Sequence, residues 1–156
     1  MRDKVFLDTN ILIYLVNEDS PFHNNVSNKF KEIASKGETW ISRQVLREYA
    51  VVMTRSGTVE KPLSPENVAS DIEKWENTFH VADETEETTR ILVELIKSYK
   101  ITGKNIHDAN ILATMMANSI HALSDAPYLK MAFSPKSKLT APAMTFSLKD
   151  ARTTWP

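Results

Sequence analysis

Short runs of consecutive apolar residues alternate along this chain with longer stretches in which apolar residues recur every three or four positions. Val5 to Leu7 reads as a buried strand, and Ile11, Leu12, Tyr14 and Leu15 give a short helix directly after it. Ser20 before Pro21 signals a helix start, followed at helical spacing by Phe22, Val26, Phe30 and Ile33 and ending near Gly37. Trp40 and Ile41 predict a second strand. Val45, Leu46, Tyr49, Val52 and Met53 predict a helix from about Arg43 to Arg55.

Ser64 and Pro65 open a further helix carrying Val68, Ile72 and Trp75, and Phe79 to Val81 follows as a third strand. Asp83 and Glu86 have capping-box spacing ahead of a helix whose apolar face is Ile91, Leu92, Leu95, Ile96 and Tyr99. A helix from about Ile106 to Asn118 leads into a fourth strand, Ile120 to Leu123, and Ala143 to Phe146 reads as a fifth. Strands separated by helices need crossover connections, which implies a mostly parallel sheet covered on both faces. The expectation is one three-layer α/β/α domain of roughly five strands spanning residues 1–156.

Composition narrows the chemistry. With no cysteine, thiolate ligands, disulfides and thiol nucleophiles are excluded, so a metal would sit on oxygen or histidine. The apolar run after Met1 to Lys4 is too short for a signal peptide or membrane span, which implies a cytoplasmic protein. A net charge of -1 gives no global attraction to nucleic acid, but charge is uneven. Between Glu60 and Glu94 there are ten acids and three bases, whereas from Ala126 onward five Lys/Arg face the single Asp150.

Three acids stand at informative positions. Asp8 directly follows the first strand, where open α/β sheets bind ligands, and could equally be a helix N-cap. Glu48 shares a helix face with Val45 and Val52, among core residues. A buried carboxylate must be neutralised by a cation, a proton or a basic neighbour, and Arg43 and Arg47 are the local alternatives to a metal. Asp108 opens the apolar face of Ile111, Leu112 and Met115, or else forms a capping box with Asn105. Clustered carboxylates repel unless a divalent ion compensates them, and oxygen ligands favour Mg²⁺ or Mn²⁺.

The blocks Phe6-Leu7-Asp8-Thr9-Asn10-Ile11-Leu12, Ile41-Ser42 followed by Glu48, and His107-Asp108-Ala109 with Ala113 and Ala117 resemble the PIN domain, the fold of many VapC-type toxins. The resemblance covers nearly the whole chain. It implies a ribonuclease that hydrolyses phosphodiesters with metal-activated water and leaves a 5′-phosphate. Asp8, Glu48 and Asp108 would be the metal-binding acids, and Thr9, Asn10 and Ser42 the supporting polar groups. Asp125, in Leu123-Ser124-Asp125-Ala126, stands one position earlier than the family's fourth acid and either joins the site or caps the segment at Pro127. Arg43, Lys104 and the Lys130 to Lys138 group would hold RNA, with His107 as a neighbouring helper. An antitoxin partner and a homodimer also follow from the resemblance.

Two rivals remain at this level. A haloacid-dehalogenase-type phosphatase also places an Asp after its first strand, but position 10 is Asn and no lysine block with Gly-Asp follows. A degenerate PIN-like scaffold would keep the fold without catalysis, and the displaced Asp125 is its best support.

Overall fold

A computed structural model describes residues 3–125 and 129–132, with the side chains of Asp125 and of the last four residues excepted. The element order is β1 (Asp3–Leu7), α1 (Thr9–Val16), α2 (His23–Lys36), β2 (Gly37–Ser42), α3 (Arg43–Thr54), α4 (Pro65–Thr78), β3 (His80–Ala82), α5 (Glu86–Tyr99), α6 (Asn105–Ala117), β4 (Ala122–Asp125) and β5 (Leu129–Ala132). The sheet order is β3-β2-β1-β4-β5. β1, β2, β3 and β4 are mutually parallel, and β5 pairs antiparallel with β4.

β1 lies at the centre. Val5, Phe6 and Leu7 are all buried, and because successive strand side chains point to opposite faces, both faces of the sheet are covered. The main core joins these residues to Ile11 and Leu12 of α1, Val26 and Ile33 of α2, Val45 and Tyr49 of α3, and Ile111 and Met115 of α6. A second apolar cluster joins α5 to α6 through Leu95, Ile101, Ala109, Leu112 and Ala113. α6 therefore serves two layers, with Ile111 and Met115 toward the sheet and Ala109, Leu112 and Ala113 toward α5. No helix among the described residues is long and apolar enough to cross a membrane.

Several helix starts follow the local signals. Ser42 caps α3 by accepting from Val45 N, and Ser64 caps α4 ahead of Pro65 by accepting from Asn67 N. Elsewhere the outcome differs from expectation. The capping box of α5 is Thr85 with Thr88; Asp83 lies two residues before the N-cap and pairs with Arg43. α2 starts at His23, after a turn in which Ser20 Oγ accepts from Phe22 N. The fifth strand is Leu129–Ala132, which pairs antiparallel with β4, and the Ala143 to Phe146 segment lies outside the described residues.

Gly37 is the one glycine that packing requires. It pairs with Asp3 where β2 begins against β1, and a Cβ there would lie 2.4 Å from the Asp3 carbonyl oxygen. That contact is with backbone and cannot be relieved by a rotamer change. Gly37→Ala is therefore expected to lower stability by about 1–3 kcal/mol, the usual cost of overpacking. Urea unfolding checks this, and a midpoint equal to that of the unsubstituted protein would mean that β1 and β2 separate easily at this end.

Candidate metal centre at the carboxyl edge of the sheet

The strand order reverses beside β1: the chain moves outward to β2 and β3, then returns to the other side of β1 with β4. The crevice at the carboxyl ends of two such strands is where open α/β sheets bind ligands. Asp8 and Asp125 stand at that edge. Leu7 pairs with Ser124, and Asp8 N–H extends the ladder by donating to the Ser124 carbonyl at 3.1 Å. α6 enters β4 from the opposite edge, so its N-terminal turn, with Asp108, lies at the carboxyl side.

Asp8 occupies the N-cap position of α1 but makes no side-chain capping bond, which removes the simple capping explanation. Its Oδ2 instead accepts from Asn10 Nδ2 at 3.5 Å. Asp108 is half-buried in the first turn of α6, whose N-cap is Lys104 and not Asn105, so the anticipated capping box does not form.

Glu48 is half-buried on α3 and held by neutral donors. Thr9 Oγ1 donates to Oε2 at 3.0 Å, and Gln44 Nε2 donates to Oε1 at 2.6 Å. The two arginines that might have neutralised it point elsewhere. Arg43 pairs with Glu76 and with Asp83, the latter at 3.0 Å, and these contacts hold its pKa above the ordinary value. Arg47 pairs with Glu84 at 2.9 Å. Helical geometry explains this: positions five and one residues from Glu48 project away from its face.

Gln44 was not anticipated from the sequence. It is 5% exposed, donates also to the His107 carbonyl at 3.1 Å, and accepts from Asn110 Nδ2 at 2.8 Å. The signal was a polar residue one helical turn before Glu48 on the same face, with buried Val45 and Leu46 beside it. Asn110, two residues after Asp108, was equally overlooked. Thr9, Glu48, Gln44 and Asn110 thus link α1, α3 and α6 in one polar chain. Ser42 is buried as the α3 cap, whereas Lys104 and the His107 side chain are exposed. The side chains of Asp125 and Lys130, with Lys136 and Lys138, lie outside the described residues.

The donor set is carboxylate, hydroxyl and amide oxygen, which suits a hard divalent cation. Each Glu48 oxygen accepts one hydrogen bond and retains acceptor capacity, and no basic side chain pairs with it among the described residues. Among those residues, no three His, Asp or Glu side chains are gathered as a ready ligand set.

Residues 5–125 match the PIN domain. The chain belongs to the PIN-domain family. Several solved structures share its fold: VapBC2 from Rickettsia felis bound to a promoter DNA fragment is 20% identical, with 80% of this chain and 88% of that chain covered and a TM-score of 0.58. VapC20 from Mycobacterium tuberculosis, described as a sarcin-ricin loop cleaving toxin, is 18% identical, with 78% and 90% covered and a TM-score of 0.59. FitAcB from Neisseria gonorrhoeae is 16% identical, with 79% and 87% covered and a TM-score of 0.52. No curated protein matches the sequence.

The bond from Thr9 to Glu48 ties the start of α1 to α3 in this PIN domain, and its loss leaves a half-buried carboxylate one donor short. Thr9→Val keeps the side-chain shape and is expected to cost about 1–3 kcal/mol in urea unfolding. An unchanged midpoint would show that water replaces the hydroxyl without penalty.

Proposed function

We propose that this PIN domain is a divalent-metal-dependent endoribonuclease that hydrolyses RNA phosphodiester bonds, with Asp8, Glu48 and Asp108 as the metal-binding acids. The observation that carries this reading is Glu48, a half-buried carboxylate at the sheet's switch point whose nearest arginines are engaged with other acids. Negative charge held there by neutral donors is costly unless a cation shares it. Mg²⁺ or Mn²⁺ at this position would supply Lewis acidity and lower the pKa of a water near the scissile phosphate.

This chain's own groups do the remaining work. Asp8 and Asp108 offer carboxylates from two helix starts at the same edge, and Thr9 and Gln44 hold the Glu48 carboxylate through one hydrogen bond to each of its oxygens. Ser42 fixes the start of α3, and Asn10 holds Asp8. Asp125, on the strand beside β1, would be an outlying fourth acid that helps to orient the attacking water. Exposed Lys104 contacts the RNA backbone, and Arg43 and Lys130 join it, Arg43 by exchanging its acidic partners for phosphate.

The fold likeness to VapC20, described as a sarcin-ricin loop cleaving toxin, supports RNA as the substrate class. Likeness to VapBC2 and to the DNA-bound VapBC of Salmonella typhimurium supports an antitoxin partner. A homodimer in the cytoplasm completes this reading.

The purified protein is expected to gain thermal stability from millimolar Mn²⁺ and to cleave mixed RNA only with Mn²⁺ or Mg²⁺, Ca²⁺ binding without supporting turnover. Asp8→Asn and Asp108→Asn should lower cleavage by orders of magnitude and reduce the Mn²⁺ shift. Asp125→Asn should retain measurable turnover, being the outlying acid. Indifference of both wild type and Asp8→Asn to Mn²⁺, with no RNA cleaved, would favour a PIN-fold scaffold.

A further inference from the structure

We propose that Gln44 is a positioning residue for the metal centre, setting Glu48 and the turn that bears Asp108 in one geometry through its amide group. This deepens the nuclease reading above and rests on it. Gln44 lies one helical turn before Glu48, so the two side chains share a face of α3. Its Nε2 has two partners, Glu48 Oε1 at 2.6 Å and the His107 carbonyl oxygen at 3.1 Å. Both are pure acceptors, which dictates which end of the amide faces them. Asn110 Nδ2 donates to Gln44 Oε1 at 2.8 Å and holds that orientation from the other side.

The His107 carbonyl belongs to the peptide plane that leads into Asp108. Fixing that plane fixes the direction in which the Asp108 side chain leaves α6. One amide hydrogen thus orients one acid, while its neighbour on the same nitrogen orients the backbone of another. Gln44 is buried and carries no charge, so it adds no repulsion and takes no ligand place. Asn110 acts through Gln44, since its amide meets the Gln44 oxygen. Partners that orient ligands in this way typically influence metal affinity or activity by about 10- to 100-fold.

Calorimetric titration of Mn²⁺ into metal-free wild type, Gln44→Leu, Asn110→Ala and the double variant tests this, together with cleavage kinetics on a short RNA. Gln44→Leu should weaken Mn²⁺ binding about 10- to 100-fold and lower kcat at saturating Mn²⁺. KM for RNA should change by less than about twofold, because the amide acts on the ligands and not on the RNA. Asn110→Ala should shift both quantities in the same direction by a smaller factor, and the double variant should be no worse than Gln44→Leu alone.

Wild-type Mn²⁺ affinity and kcat in Gln44→Leu, with only a lower melting temperature, would overturn the inference and leave the nuclease reading intact. Should Gln44→Leu not fold, Asn110→Ala decides: wild-type affinity there overturns it equally. A wild type that neither binds Mn²⁺ nor cleaves RNA removes the nuclease reading and this inference together.

Discussion

The placement of β1 is the constraint on which the rest depends. Three consecutive residues, Val5, Phe6 and Leu7, are shut away from water, so β1 must be covered on both faces and paired along both edges. Parallel pairing on both sides forces the following chain to return across the sheet each time, and right-handed crossovers put helix N-termini at one edge. The first residue to leave this buried strand is Asp8, which cannot be buried without compensation. This buried strand and the proposed chemical site are therefore adjacent in sequence.

The same geometry explains why the site is assembled from distant parts of the chain. α1, α3 and α6 begin at Thr9, Arg43 and Asn105, yet a hydrogen-bond chain links Thr9, Glu48, Gln44 and Asn110. Backbone packing brings the helices near, and side-chain amides and hydroxyls then determine how the carboxylates face. Because α6 packs on the sheet with Ile111 and Met115 and on α5 with Ala109, Leu112 and Ala113, it has little freedom to slide. Its first turn is consequently a firm platform for Asp108.

Much of this was legible in the sequence, for identifiable reasons. The strand before Asp8, the helix start at Ser64 and Pro65, and the acid on an apolar helix face are all local patterns, read within one or two turns of chain. What escaped depended on contacts between remote segments. Asp83 has capping-box spacing with Glu86, but the helix begins two residues later on Thr85 and Thr88, and Asp83 pairs with Arg43. Arg43 and Arg47 looked like partners for Glu48 by proximity in sequence, but their side chains reach Glu76, Asp83 and Glu84. Gln44 looked like an ordinary helix residue, because two of its three partners are 63 and 66 positions away. The antiparallel pairing of β5 with β4 needs no crossover helix to signal it, which is why a later segment was expected to complete the sheet.

The distribution of charge has a bearing on how RNA would be held in the proposed nuclease. Acids on α4 and after β3 engage Arg43 and Arg47, so these basic groups on α3 carry little net positive potential. These side chains are mostly exposed, and ion pairs of that kind are worth about 0–1 kcal/mol, too little to keep a phosphate from displacing one partner. Affinity drawn from the surface would then be modest and strongly screened by salt. A cation shared between the acidic centre and a backbone phosphate would carry most of the attraction at the scissile bond. In that arrangement the geometry of Glu48 matters more than the number of surrounding lysines, and the neutral donors that orient it would govern how firmly the cation is held.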